Sequence, residues 1–230
     1  MNLCDSVHKE ITMSHWTIAA AQYQPTHHCV DDHVSHHLRF ITAAAHQQCN
    51  LLLFPELSLT GPVLPDSQLP APPARQQIAP LHEAAQACNV SVIAGITVED
   101  NGQRRRGLAW LSPDQPQAIF YPHGAGACLE SRHSGLSLVD AHAEPPNITP
   151  NATLFTRSMA VSEAGRPASF AQWQRFAHRY GIAVLVANHD GGSALWDARG
   201  QLILRADSGE VLLTGRYVEQ SWQGEIIPLR

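Results

Sequence analysis

Three short apolar runs limit what this chain can become. Residues 16–22, 51–54 and 90–98 are each of strand length, and a helix-length stretch separates each from the next. That alternation predicts layered α/β architecture. Between the first two runs, Val34, Leu38, Ile41 and Ala45 recur at helical spacing within residues 30–49. Asp31 and Asp32 fall in the first turn, where the helix dipole favours carboxylates. Residues 60–80 are proline-rich and read as a surface loop, with a second helix begun near Arg75 and completed over 81–88. Downstream, residues 107–111 and 118–121 predict a hairpin joined across 112–117, and 136–139 and 154–161 predict strands. Phe170, Trp173, Phe176 and Tyr180 mark one face of a helix, and 182–187 form the next strand. Strands near 193–196 and 202–204 flank Ala198-Arg199-Gly200 as a hairpin, and 211–218 close the core. No repeat and no polar linker interrupts this order, so residues 14–230 are expected to form one domain. Residues 1–13 lack periodicity and read as a flexible extension, with Met13 an alternative start to Met1.

Composition narrows the function classes. A net charge of −5 and a pI near 6.2 give no nucleic-acid footprint. The one basic run, Arg104-Arg105-Arg106 beside Gly102 and Gln103, reads as an exposed turn between strands. No apolar run approaches the roughly 20 residues that span a bilayer, so no membrane partner is expected. Five widely spaced cysteines without a CxxC pair favour reduced thiols and a cytoplasmic setting. Cys88 sits at apolar spacing in the second helix and reads as core. Lys9 is the single lysine among 15 basic residues. A mechanism built on a buried lysine would therefore have to use Lys9 or do without.

Chemistry enters where the run 51–54 ends in Pro55-Glu56, a buried strand delivering a carboxylate at its C-terminal end. Active sites of α/β sheets collect at such ends. Fourteen histidines raise the question of a metal, with His27, His28, His33, His36 and His37 close together and His33/His37 spaced i, i+4 beside Asp32. Their helix is expected on the outside of a sheet, so they read as solvated histidines, and no metal site is expected.

The opening segment Ala19-Ala20-Ala21-Gln22-Tyr23-Gln24-Pro25, a helix, and then Leu51-Leu52-Leu53-Phe54-Pro55-Glu56-Leu57-Ser58-Leu59-Thr60-Gly61 together resemble the nitrilase, or carbon–nitrogen hydrolase, superfamily. Residues 181–188, followed by Gly191, Gly192 and Ser193, are similar to that family's late strand and turn. Val161-Ser162-Glu163-Ala164-Gly165 is similar to a segment of one bacterial branch. The resemblance implies a nitrilase-like αββα sandwich of four-layer type, amide or nitrile chemistry and no cofactor. It also implies a homodimer, formed through surfaces that correspond to the aromatic helix. Its triad is Glu, Lys and Cys in chain order: a thiolate attacks the carbon, a carboxylate moves protons, and an ammonium steadies the tetrahedral oxygen.

Carried over by the resemblance, Glu56 takes the base position, the lysine position falls on His123, and a second glutamate seven residues on falls on Glu130. The cysteine position falls at Leu138 or Val139, so no nucleophile stands in place. Asn188 and His189 stand where the family lines its pocket for substrate. Histidine is a poor lysine: its ordinary pKa near ~6.5 leaves it mostly neutral at pH 7. In a well-studied triad hydrolase, losing the nucleophile costs on the order of a million-fold in turnover. The expectation is a family member with catalysis lost or impaired, taking a small amide or nitrile-like ligand. The alternative is an active amide hydrolase using Glu56 with His123 and a relocated Cys128.

Overall fold

The computed structural model describes residues 15–25, 29–63, 67–123 and 152–229, and the backbone of 127–131 and 136–140. The proposed extension 1–13, together with His27 and His28, lies outside the described residues.

The first half of the chain builds one sheet and the helices that cover it. Strand β1 (Trp16–Gln22) leads into helix α1 (Val30–His46), then β2 (Leu51–Leu53), helix α2 (Arg75–Cys88), β3 (Ser91–Asp100), β4 (Gln103–Leu111) and β5 (Ile119–Pro122). The second half gives β6 (Ala127–Ser131), β7 (Leu136–Asp140), β8 (Leu154–Met159), helix α3 (Arg166–Tyr180), β9 (Ala183–Asn188), β10 (Ser193–Trp196), β11 (Leu202–Ala206), β12 (Val211–Val218) and β13 (Ser221–Pro228). Seven strands join in the order β13-β12-β1-β2-β3-β4-β5, and six in the order β11-β10-β9-β8-β7-β6. Parallel pairing at β1–β2–β3 follows from the helical crossovers, and β3–β4 is an antiparallel hairpin.

Side-chain alternation shows how the layers stack. In β1, Ala19 and Ala21 pack toward α1 and α2, while Ile18 and Ala20 pack toward the second sheet. Leu52 and Leu51/Leu53 divide the same way in β2. In the second sheet Leu185 and Ala187 face inward, while Val184, Val186 and Phe155 meet Trp173 and Phe176 of α3. Strands buried on both faces explain why these runs are almost continuously apolar. The result is the αββα sandwich that the resemblance implied.

Several local expectations are revised. The loop over 60–80 ends at Ala74, because α2 carries Pro80 within it. Pro80 is exposed, so the carbonyl that loses its helical donor can turn to water. Arg104–Arg106 belong to β4 and not to the turn, which is the pair Asn101-Gly102 at φ +51° and +74°. Strands β6 and β13 were not foreseen; β13 is mostly exposed and lacks a buried alternation. The inward face of α1 is rotated from the expected one. His33, His36, His37, Phe40, Ile41 and Ala44 are buried, while Leu38 and Ala45 are only partly so.

The reading of these histidines as solvated is therefore corrected. Aromatic rings take them in: His37 stacks on Phe54 with centroids 3.9 Å apart, and His36 meets Tyr23 edge-on at 4.5 Å. Cys88 is half-buried against the first core cluster.

Candidate active site

Beyond β2, Phe54-Pro55 carries the chain out of the sheet into a tight turn at Glu56. The turn lies directly on β3. A Cβ at Gly95 would come within 2.3 Å of the Leu57 nitrogen and 2.4 Å of the Pro55 oxygen. No side chain fits there, so glycine is required for the two backbones to touch. Leu57 itself takes φ +51°, an uncommon conformation for a branched residue.

A chain of buried polar groups fixes this turn from below. His37 Nδ1–H donates to the His33 carbonyl at 2.7 Å, which leaves Nε2 to accept from the Ser58 hydroxyl at 3.0 Å. Ser58 Oγ in turn accepts the Gly95 N–H at 3.1 Å. Burial is the main force holding the His37 pKa well below the ordinary value, with the like charges of His33, His36 and His189 adding to it and the His33 carbonyl opposing. A neutral ring is what this donor–acceptor relay needs.

Three further bonds tie the turn to the second sheet. Glu56 N–H donates to the Met159 carbonyl at 3.2 Å, His189 Nε2 donates to the Glu56 carbonyl at 2.8 Å, and Ser158 Oγ donates to the Phe54 carbonyl at 2.7 Å. The Glu56 carboxylate is thus presented at the junction of the two sheets.

That carboxylate meets Arg106 of β4, with Arg106 Nε 2.7 Å from Glu56 Oε1. Burial nevertheless outweighs the guanidinium: the Glu56 pKa is raised, with Arg106 and Arg157 pulling the other way. A raised carboxyl pKa moves a general base toward neutrality, where it is more effective.

His123 follows β5 directly and donates its backbone N–H to the Arg106 carbonyl at 2.8 Å. Burial, followed by the charges of Arg157 and Arg106, lowers its pKa to about 3. At any physiological pH this ring is neutral. The positive charge around Glu56 and His123 comes from Arg106 and Arg157. Neither arginine was expected as a site residue. Arg106 is hidden in a run that looks like a turn, and Arg157 sits in a strand read only for its apolar positions.

Of the other expected site residues, Glu130 lies on β6 opposite Ser137, and its side chain is outside the described residues. Of the two residues expected at the cysteine position, Leu138 pairs with Leu154 of β8 and Leu129 of β6, and Val139 with Phe155 and Cys128. Asn188 uses its carboxamide on backbone, accepting from Val161 N–H at 2.7 Å and donating to the Val161 and Gly191 carbonyls at 2.9 and 2.7 Å. It holds the loop after β8 against the turn after β9. His189, also buried, supports Glu56 through its backbone, as described. Among the described residues no group of three or more His, Cys, Asp or Glu side chains is placed to hold a metal ion. No helix among them is long and apolar enough to cross a membrane.

Comparison with known proteins adds the following. The carbon–nitrogen hydrolase family profile matches residues 17–148. Among solved structures, the glutamine-dependent NAD+ synthetase from Acinetobacter baumannii superposes with a TM-score of 0.72 at 13% identity. The match covers 94% of this chain but 49% of the synthetase, so the chain spans about half that protein's length. A CN-hydrolase superfamily protein from Xanthomonas campestris, solved with an arsenic adduct in its active site, gives 0.74 at 15% identity and 90% and 92% coverage. An amidase from Nesterenkonia sp. gives 0.74 at 19% identity, with 89% and 90% coverage.

Proposed function

Because the chain belongs to the carbon–nitrogen hydrolase family, we propose that it holds a small amide or nitrile-like ligand beside Glu56 without the family's covalent turnover. The observation that carries this reading is the charge state of His123. At the position where the resemblance calls for an ammonium, the ring has its pKa lowered to about 3 and stays neutral. The second support is that Leu138 and Val139, either of which falls where the resemblance calls for the attacking sulfur, are both aliphatic. A thiol route needs sulfur to bond the amide carbon while nitrogen leaves with a proton. Neither the sulfur nor the stabilising cation stands in its expected place. Glu56, raised in pKa and neighboured by two guanidinium groups, remains suited to accept a hydrogen bond from an amide NH₂. As part of the same proposal, the protein works as a cytoplasmic homodimer; sedimentation tests the oligomeric state.

Butyramide is a suitable probe, since a variant of the Nesterenkonia amidase has been solved with it. The expected result is a rise in melting temperature with millimolar butyramide for the wild type and none for Glu56→Ala, with no ammonia released by either. Ammonia release by the wild type that disappears in Glu56→Ala would defeat the inactive reading.

One observation favours a second reading. Cys128 is the direct cross-strand partner of Val139, one strand over from the family's nucleophile position. An active hydrolase would then use Cys128 as nucleophile and Glu56 as base, with His123 nearby. Ammonia release abolished by Cys128→Ser as well as by Glu56→Ala would select this reading.

A further inference from the structure

A cavity of about 370 Å³ lies between α2 and the chain that turns from β4 into β5. Small-molecule pockets begin at roughly 300 Å³, so this volume suits one small ring compound. Among the described residues its lining includes none of the Glu56 corner and none of α3, the helix given to the homodimer. One face of α2 forms the first wall, where Arg75, Ile78, His82, Glu83 and Gln86 share helical spacing. Ala118 and Phe120 form the second, backed by the core of the first sheet.

The two ends of the cavity differ in chemistry. At one end the Arg75 guanidinium lies 5.4 Å over the Phe120 ring and donates Nη1–H to Gln117 Oε1 at 3.2 Å. No carboxylate among the described residues forms an ion pair with it. A stacked guanidinium keeps in-plane donors for a carboxylate. His82 stands seven positions further along α2, about 10 Å along the helix axis, beside Glu83. It is only 8% exposed. Its Nε2–H donates to the Gln115 carbonyl at 3.1 Å, which the Gln86 carboxamide also reaches at 3.2 Å. In that neutral tautomer Nδ1 is an acceptor, and it is buried without a hydrogen-bond partner. A buried acceptor is costly to leave unpaired, and a ligand O–H or N–H relieves that cost.

We propose that this cavity binds a small aromatic carboxylate that carries a hydroxyl or N–H on the far side of its ring, such as 4-hydroxyphenylacetate. The ring packs against Ile78, Ala118 and Phe120, the carboxylate meets Arg75, and the hydroxyl donates to His82 Nδ1. Glu83 fixes the direction, because its charge repels a carboxylate from the His82 end.

Isothermal titration of the full-length protein with 4-hydroxyphenylacetate tests this. The expected result is saturable binding at one site per chain, weakened about tenfold in Arg75→Gln. Phenylacetate, which lacks the hydroxyl, should bind several-fold more weakly to the wild type, and tyramine, with an ammonium in place of the carboxylate, should not compete. Glu56→Ala should bind 4-hydroxyphenylacetate as the wild type does. Unchanged far-UV circular dichroism would show that the variants are folded. Four outcomes overturn the proposal: no saturable binding to the wild type, unchanged affinity in Arg75→Gln, equal affinity for phenylacetate or tyramine, or loss of binding in Glu56→Ala, which would move the ligand to the Glu56 corner.

Discussion

The corner at Glu56 and the corner at Val139 lie in one fold but are built on opposite terms. Glu56 sits in a turn pinned by His37, Ser58 and Gly95 from its own sheet and by Met159, His189 and Ser158 from the other. Val139 sits in a strand held by ladder pairing to β6 and β8. The difference teaches that a well-fixed carboxylate is not evidence of catalysis. The bonds that position Glu56 are largely the bonds that join the two sheets, so the fold keeps them whether or not chemistry follows. The ladder that holds Val139 is backbone to backbone and sets no requirement on the side chain.

The comparison breaks first at Gly95. Gly95→Ala forces a methyl group into the backbone of Pro55 and Leu57, and a loss of about 3 kcal/mol is expected from urea denaturation. A loss under about 0.5 kcal/mol would mean the turn moves aside freely. Next, Ser58→Ala strips the acceptor from the Gly95 N–H and the donor from His37 Nε2, both buried. The expected cost is about 2 kcal/mol, read from the same denaturation curves.

Acidification sharpens the contrast. His37 and His123 have folded pKa values below the ordinary 6.5, so the unfolded chain takes up protons first as pH falls. Their neutral burial therefore contributes stability in full above about pH 6.5, and that contribution is lost as pH falls toward the folded pKa, about 3 for His123. Glu56, raised in pKa, works the other way: its ionisation costs stability as pH rises above its ordinary value. Each histidine can add at most about 1.4 kcal/mol per pH unit. Denaturation midpoints between pH 7 and 5 should fall less steeply in His37→Gln than in the wild type, and equal slopes would remove His37 from the account.

The smallest effect is expected for Arg106→Gln. Its side chain is 43% exposed and that of Glu56 19%, so the pair is worth under about 1 kcal/mol of stability. The Glu56 carboxyl pKa should nonetheless rise further, because Arg106 is the larger of the two charges holding it down. A carbon-13 titration of the glutamate side chains measures this, and an unmoved pKa would mean that Arg106 does not act on the Glu56 carboxyl.

Glu56 was legible because one short apolar run ends in its motif, and strand, turn and carboxylate are contiguous in sequence. The sheets were legible for the same reason, since strands buried on both faces appear as apolar runs. Arg106 was not, because it reaches Glu56 from β4 across β3, a contact between residues fifty positions apart that no local pattern records. The histidines of α1 were misplaced because a polar ring counts against a buried face unless its partners, here Tyr23, Phe54 and Ser58, are known. Strand β13 left no trace because an exposed edge strand needs no apolar alternation.

One backbone bond described above also makes an instrument. The Glu56 N–H is donated to Met159 across the gap between the sheets, so its exchange with deuterium calls for the two halves of the sandwich to part, whereas ladder amides along β12 and β13 exchange when an edge frays. Followed by proton NMR, that single amide would clock the opening of the sandwich.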